Sequence, residues 1–315
     1  MSSFIIRIIL VGLVIVGTRV ASGQIYPYKH VRIVTSEAGG GSDLVARIIA
    51  QGLSASLGQQ VIVDNRGGSL APELVARATP DGYTLLVSGT TFWLGPLFKK
   101  MLFDPVRDFL PITVLVDSPN ILVVHPSVKV NSVTELIALA KAKPGSLNYA
   151  GTPGASSQLG GELFKVMAGV NIVYIPYKGT GPALNDLIGG QVQLMFAVTA
   201  SATPHVKSGQ LRALAATSAQ PSALAPNLPT IAATLPGYEV GTPYEMFVPP
   251  GTPAAIISRL NREVVRLLNQ SDVKEKFLNA GTETVGSSPE ELATKLKLDM
   301  ARWGKVINDA GLREN

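Results

Sequence analysis

The sequence predicts an α/β protein of two lobes. Three observations predict it. Short β-rich runs alternate with helix-period runs along most of the chain, the pattern of parallel strands joined by helical crossovers. A glycine-rich loop between a strand and a helix occurs twice, at 36–43 and at 151–157. An extended stretch, PITVLVDSPNILVV at 111–124, separates two such series, and a return rich in proline and glycine runs from 221 to 253. With 315 residues and 46% hydrophobic content, the chain can fill one large core or two lobes of about 130 residues each.

The first series opens with a strand at Val31–Thr35. A helix follows at 43–57, with Leu44, Val45, Ile48, Ile49 and Leu53 on one face. Ser42 is its expected N-cap, since a hydroxyl accepts from an early helical N–H, and Gly58 its stop. A strand at 61–63, a short helix at 72–78, the turn Pro80-Asp81-Gly82 and a strand at 84–87 complete the series. The loop Ser88-Gly89-Thr90-Thr91 comes next. The second series reads as helix 133–141, strand 147–150, helix 158–168, strand 172–176, helix 182–188 and strands 192–197 and 211–216. Two long amphipathic helices at 253–269 and 289–310 end the chain, each opened by a proline in its first turn. Their apolar faces are expected to pack on a lobe.

The N-terminus reads MSSFIIRIILVGLVIVGTRVASGQ. Arg7, a short apolar core at 8–16 and the small residues Ala21-Ser22-Gly23 form a secretory signal pattern over residues 1–23. The apolar stretch is shorter than the ~20 residues of a membrane span. An exported, soluble protein cleaved near Gly23 is expected. Removing Arg7 and Arg19 leaves 25 basic residues against 22 acidic, a net charge of +3. The remaining Lys and Arg are scattered without interleaved aromatics, so no nucleic-acid partner is expected. No later segment is long and apolar enough to span a bilayer.

The chain has no cysteine, which excludes disulfides, thiolate nucleophiles and Cys-based metal sites. Its three histidines, His30, His125 and His205, share no metal-ligand spacing. No cofactor and no metal are expected. No GxSxG elbow occurs, and Ser156 and Ser157 have no motif-linked histidine. No catalytic residue is assigned; the expectation is a binding protein and not an enzyme.

The loops carry the functional signal. VTSEAGGGSD at 34–43 follows a strand and precedes a helix. Ligands of open parallel sheets bind at the carboxyl ends of strands. A helix N-terminus there offers unpaired N–H groups and about half a positive charge, which suits a carboxylate or phosphate. GTPGASS at 151–157 repeats the arrangement, with hydroxyls from Thr152, Ser156 and Ser157 as added donors. Each loop by itself is equally well a simple turn. One on each lobe, facing across an interdomain cleft, would form a two-sided grip.

Many ordered stretches of the mature chain resemble the Bug-type periplasmic receptors of tripartite tricarboxylate transporters. Among them are VRIVTSEAGGGSDLVARIIAQGLSASLGQQVIVDNR, ATPDGYTLL, FDPVRDFLPIT, ELIALAKAKPGSLNYAGTPGASS, IPYKGTGPALNDLIGGQVQLMF, PPGTPAAIISRLN and ARWGKVINDAGL. The resemblance implies a periplasmic-binding-protein-like fold that closes like a flytrap on a small organic carboxylate. It implies lobe 1 at 24–122 and 241–315, and lobe 2 at 123–240. It also implies delivery of the ligand by a monomeric receptor to membrane transporter subunits; an alternative is an extracytoplasmic sensor that passes the bound state to a kinase. By matching position, Glu37, Ala38, Gly39, Gly40, Gly41, Ser42 and Asp43 form one grip. Thr152, Pro153, Gly154, Ala155, Ser156 and Ser157 form the other, partly through ordered water. The loop at Gly89 to Phe92, with Thr90 and Thr91, and the crossing at Tyr244 match cleft-lining segments.

The chain departs from the family pattern at Ser36 and Ala38, where Phe and Pro are usual, and in a shortened glycine stretch after Asn65-Arg66. It departs again at Ala197, often an Asp that contacts a ligand amino group. An amino-acid ligand is therefore disfavoured. Three residues keep two readings each. Glu37 is a solvated loop acid, or it faces the cleft and requires a donor group on the ligand. Trp93 packs in the core or forms an aromatic cleft wall. Lys178, after Tyr177, is solvated or neutralises a second ligand carboxylate.

Overall fold

The computed structural model describes residues 26–36, 38–67, 69–309 and 311. The signal-peptide segment and Glu37 lie outside the described residues. The first layer of structure is a six-stranded sheet of β1 (Val31–Thr35), β2 (Val61–Asn65), β3 (Thr84–Gly89), β4 (Leu110–Asp117), β10 (Tyr244–Val248) and β11 (Glu283–Thr284). Its order is β11-β4-β10-β3-β1-β2. The second sheet holds β5 (Asn120–Val124), β6 (Asn148–Gly151), β7 (Val173–Pro176), β8 (Leu194–Val198) and β9 (Arg212–Ala216), in the order β7-β6-β8-β5-β9.

Both sheets are mixed, where the alternating pattern predicted parallel strands. β1 is parallel to β2 and β3, and β6 is parallel to β7 and β8. Each sheet also takes in a strand next to the crossing. β10 inserts antiparallel between β3 and β4, and β5 inserts antiparallel between β8 and β9. The physical reason is the path. The chain passes straight from β4 into β5, so β5 enters the second sheet against its βαβ direction, and the returning β10 does the same in the first.

The stretch 111–124 is thus two strands, broken at Ser118-Pro119. Sheet membership changes there, between β4 and β5. The return runs beside it. Pro119 bridges Gly241, and Thr242 N–H donates to Ser118 O at 3.0 Å. On the second-sheet side Thr217 Oγ1 accepts from Asn120 N–H at 2.9 Å, and Val240 N–H donates to Thr217 O at 2.9 Å. Two hydrogen-bonded passages therefore connect the sheets.

The helices are α1 (Gly41–Leu57), α2 (Leu70–Ala76), α3 (Thr91–Phe98), α4 (Val133–Ala142), α5 (Ser156–Ala168), α6 (Thr180–Ile188), α7 (Thr199–Lys207), α8 (Ala254–Leu268), α9 (Ser271–Asn279) and α10 (Pro289–Asp309). α1 begins two residues before the expected start, with Gly40 as its N-cap in extended backbone. Ser42 sits inside the first turn, and its hydroxyl pairs with that of Ser36. Val45, Ile49, Leu53 and Leu57 are buried on one face against β1 and β2, while Leu44, expected on that face, is exposed; Gly58 caps the end with φ 66°. α8 starts at Ala254 with Pro253 as N-cap, one position earlier than a first-turn proline. α3, α7 and α9 were not read from the sequence. Among the described residues no helix is long and apolar enough to cross a membrane.

Candidate anion cleft

Asp43 organises the first loop. Its carboxylate accepts from Gly39 N–H at 2.8 Å and from Asn65 Nδ2 at 2.9 Å, and pairs with Arg47 Nε at 2.9 Å. Asn65 also donates to Ser36 O at 2.9 Å, so one amide joins the end of β1 to the first turn of α1. Gly39 turns the chain at φ 82°, in the left-handed region that glycine adopts without strain. Burial by itself would raise the Asp43 carboxyl. The hydrogen bonds from Arg47, Gly39 and Asn65 outweigh it and hold the group below the usual carboxylate range.

Asp43→Ala is therefore expected to cost about 1–3 kcal/mol by leaving Gly39 and Asn65 without their acceptor. The sign with pH follows from the lowered folded-state value. The stabilisation is present above the unfolded value and is lost as pH falls through the folded one. Chemical denaturation of both proteins between about pH 3 and 7 checks it. The gap in stability should narrow at the acid end.

The second loop is built in the same way by a residue the sequence reading missed. Gln158 Oε1 accepts from Gly154 N–H at 2.7 Å, and Ser157 Oγ accepts from Thr152 N–H at 3.0 Å. Ser156 Oγ accepts from Asn120 Nδ2 at 3.0 Å. The expected donor hydroxyls of Ser156 and Ser157 thus hold the loop itself. Ala155, in extended backbone, is the N-cap of α5. Thr152 Oγ1 is buried without a partner.

These loops meet at a cleft of about 800 Å³. Ser36, Gly41 and Ser42 line it from the first loop, and Pro153, Gly154 and Gln158 from the second. A third terminus joins them. The loop read at 88–91 is shorter than expected: β3 runs through Gly89, Thr90 is an N-cap, and α3 opens with Thr91 and Phe92 at the cleft. Thr242 and Tyr244 close the lining from the return passage. Three helix N-termini therefore converge, each with first-turn N–H groups that have no intrahelical partner and a positive dipole end. Among the described lining residues none is acidic. Such a site attracts a carboxylate or a similar anion.

Several expected contacts sit elsewhere. Ala38, Gly39 and Gly40 shape the turn without lining the cleft, and Ala38 is exposed. Trp93 is not a cleft wall. It is 3% exposed and packs from the first turn of α3 into the hydrophobic core. Trp93 Nε1 and Glu245 Oε2 are both buried without a hydrogen-bond partner. Ala197 is fully buried in β8, opposite Ile121, within the core of the second sheet. Lys178 is exposed and does not line the cleft, while Tyr177 Oη donates to Asp186 at 2.7 Å. The cleft also includes Ser69, Ala71 and Pro72 from the start of α2, and Leu94, Gly95, Phe98, Lys99, Met101 and Phe103 in and after α3. The only sequence signal for that wall is the run TFWLGPLFKKM, more apolar than one buried helix face requires.

Two α/β lobes joined by two passages around an anion-attracting cleft define the class of two-lobed binding proteins. The family described as the tripartite tricarboxylate transporter family receptor matches residues 45–312, and the chain belongs to it. BugT of Bordetella pertussis is 34% identical over 93% of this chain and 92% of its own length. Rpa4515 of R. palustris, solved with adipate, is 36% identical with a TM-score of 0.68, covering 91% of this chain and 98% of that one. MatC of Rhodopseudomonas palustris, solved with bound malate, is 31% identical with a TM-score of 0.65, covering 90% and 100%. The chain is thus a Bug-type substrate-binding receptor. Its family is one of binding proteins and not of enzymes, and receptors of this family are periplasmic.

Proposed function

We propose that this receptor is exported, cleaved near Gly23, captures a small organic carboxylate between its lobes and delivers it as a monomer to the membrane subunits of a tripartite transporter. The convergence of three helix N-termini on a cleft whose described lining holds no acid is the observation that carries the reading. The lobes are taken as the two sheets with their helices, hinged at Ser118-Pro119 and at 241–243, where two hydrogen-bonded passages run side by side. Closure about that hinge brings the α1 and α3 termini toward the α5 loop, and the closed form is what the membrane subunits select. The adipate and malate bound by relatives support a carboxylate as ligand. The grip consists of Gly41 and Ser42, Thr90 and Thr91, Pro153 and Gly154, with Tyr244 beside them.

The test is mass spectrometry of ligand released from the purified protein, with a thermal-shift screen of mono-, di- and tricarboxylates. A ligand that binds only the folded state raises apparent stability by about 2.7 kcal/mol at a hundredfold excess over Kd. A carboxylate in the released fraction and a rise in Tm with that compound are expected. No shift with any carboxylate at millimolar concentration counts against the reading.

A further inference from the structure

The two grip loops are bonded within their own lobes, the first by Asp43 and Asn65, the second by Asn120, Ser157 and Gln158. A separate set of contacts joins the lobes elsewhere, and strand order gives its place. In the first sheet β3 and β1, which lead into the cleft, stand on one side of the crossing strands β10 and β4, and β11 stands on the other. In the second sheet β6, which leads into the second loop, stands on one side of β5, and β9 on the other. β11 and the segment that leaves β9 therefore meet across the hinge from the cleft. There the Glu283 carboxylate, opposite Asp117 in the register of β11 with β4, accepts from the backbone N–H groups of Ala223 and Leu224. The Leu224 bond is 3.2 Å and is shared with Ser222 Oγ at 3.1 Å. Gly281 turns at φ 76°, and a Cβ on it would lie 3.2 Å from that of Ala200, in the first turn of α7. Ser118 Oγ donates to Gly281 O at 2.9 Å, so this turn is fastened to the hinge itself. None of Ala200, Ala223, Leu224, Gly281 and Glu283 lines the cleft.

Resting on the hinge of the reading above, we infer that Glu283 and Gly281 form a latch behind the hinge that holds the receptor open, so that ligand affinity is set in part outside the cleft. The two sides of a hinge move oppositely. Rotation that brings the α1 and α3 termini toward α5 draws β11 away from 222–224 and the Gly281 turn away from Ala200. The latch is made in the open form and broken in the closed one. Such a differential contact biases a two-state equilibrium whatever its distance from the ligand. While the closed fraction is small, apparent affinity rises in proportion to it. Weakening the latch raises that fraction and tightens binding. Bulk added at Ala200 acts in the same direction, as a wedge that parts the lobes behind the hinge. The Glu283 bonds are charge-assisted but partly exposed, which keeps the effect modest.

Isothermal titration of the mature receptor with adipate and with malate tests this beside a measurement that needs no ligand. The chain has no cysteine, so Gln51→Cys and Lys178→Cys, both exposed and on the cleft side of the hinge, carry two spin labels on opposite lobes. Glu283→Ala is expected to tighten binding of each acid that the parent binds by about 3–10-fold, with most of the change in a slower off-rate. The short-distance, closed population of the unliganded protein should grow by a similar factor. Glu283→Gln, which keeps an acceptor oxygen, should change both less. Ala200 is exposed, so Ala200→Leu tests the latch even where Glu283→Ala lowers the Tm, and it should shift affinity and distance the same way. Unchanged or weaker binding with an unchanged distance distribution in both Glu283→Ala and Ala200→Leu overturns the latch and leaves the receptor reading standing. Failure of the parent to bind either acid counts against the carboxylate reading, and the unliganded distances then decide the latch by themselves.

Discussion

Glu245→Gln makes the folded protein more stable at about pH 9 and leaves it little changed at about pH 5. Glu245 lies in β10 at 2% exposure, and burial pushes its carboxyl up to about 8 from 4.5. Lys295 pulls the other way, while Asp299 and Asp117 add to the rise. Lys295 is already shared between Glu239 at 3.0 Å and Asp299 at 3.1 Å, and Arg302 also pairs with Asp299 at 2.8 Å. Little positive charge is left for Glu245. Its folded-state value exceeds the unfolded one, so the folded protein holds a proton that the unfolded chain releases. Stability is therefore full below about 4.5 and is lost as pH rises through about 8.

The loss amounts to about 3–5 kcal/mol once both values are passed. A glutamine keeps the shape and has no charge to bury. Asp117 adds a second, smaller slope of the same sign. It is half-buried beside a cavity of about 30 Å³ at the crossing, and burial pushes its carboxyl up to about 6. Urea titrations of parent and variant across this range decide the matter. Parallel pH profiles would show that Glu245 already finds a partner in the folded state.

Gly41→Ala weakens carboxylate binding by about 10–100-fold with a modest loss of stability. Tyr244 rests in a notch between two glycines. A Cβ on Gly41 would lie 2.0 Å from Tyr244 Oη, and one on Gly89 would lie 3.2 Å from Tyr244 Cε1. The tyrosine is half-buried and comes from the return passage, whereas Gly41 opens α1. The added methyl meets the hydroxyl end and the Cε1 edge of the ring, the same edge that lies against Gly89, so the ring has to leave the notch. Either Tyr244 swings into the cleft or the first turn of α1 withdraws, and both disturb the anion position. Overpacking of this kind costs about 1–3 kcal/mol, which on affinity corresponds to the range given. Titration with whichever carboxylate stabilises the parent reads the effect. Unchanged affinity would mean that Tyr244 yields without reaching the grip.

The βαβ elements around the first loop were legible because each carries a local signal. The face of α1 repeats at helical spacing, Gly58 stops it, and β1 is a compact β-rich run. The antiparallel β5 and β10 were not legible. Nothing in NILVV or YEMFV states which neighbour a strand will take, and the pairing is decided by where the chain crosses. Polar satisfaction was illegible for a related reason. Ser42, Ser156 and Ser157 are the residue types an anion site would use. Their partners Ser36, Asn120 and Thr152 come into reach only when the loops are folded.

The sequence by itself determined the two-lobed α/β class, the two glycine loops and their place between strand and helix. Those features rest on backbone conformation and hydrophobic period, which a linear chain displays. Tertiary structure decided the rest. It moved Trp93 and Ala197 into cores and set Gln158 behind the second loop. It also made the 88–91 segment a third helix terminus and set Phe98, Met101 and Phe103 along the cleft. Each of these depends on which face of an element is covered by a distant one, and covering is a property of packing that no local run of residues contains.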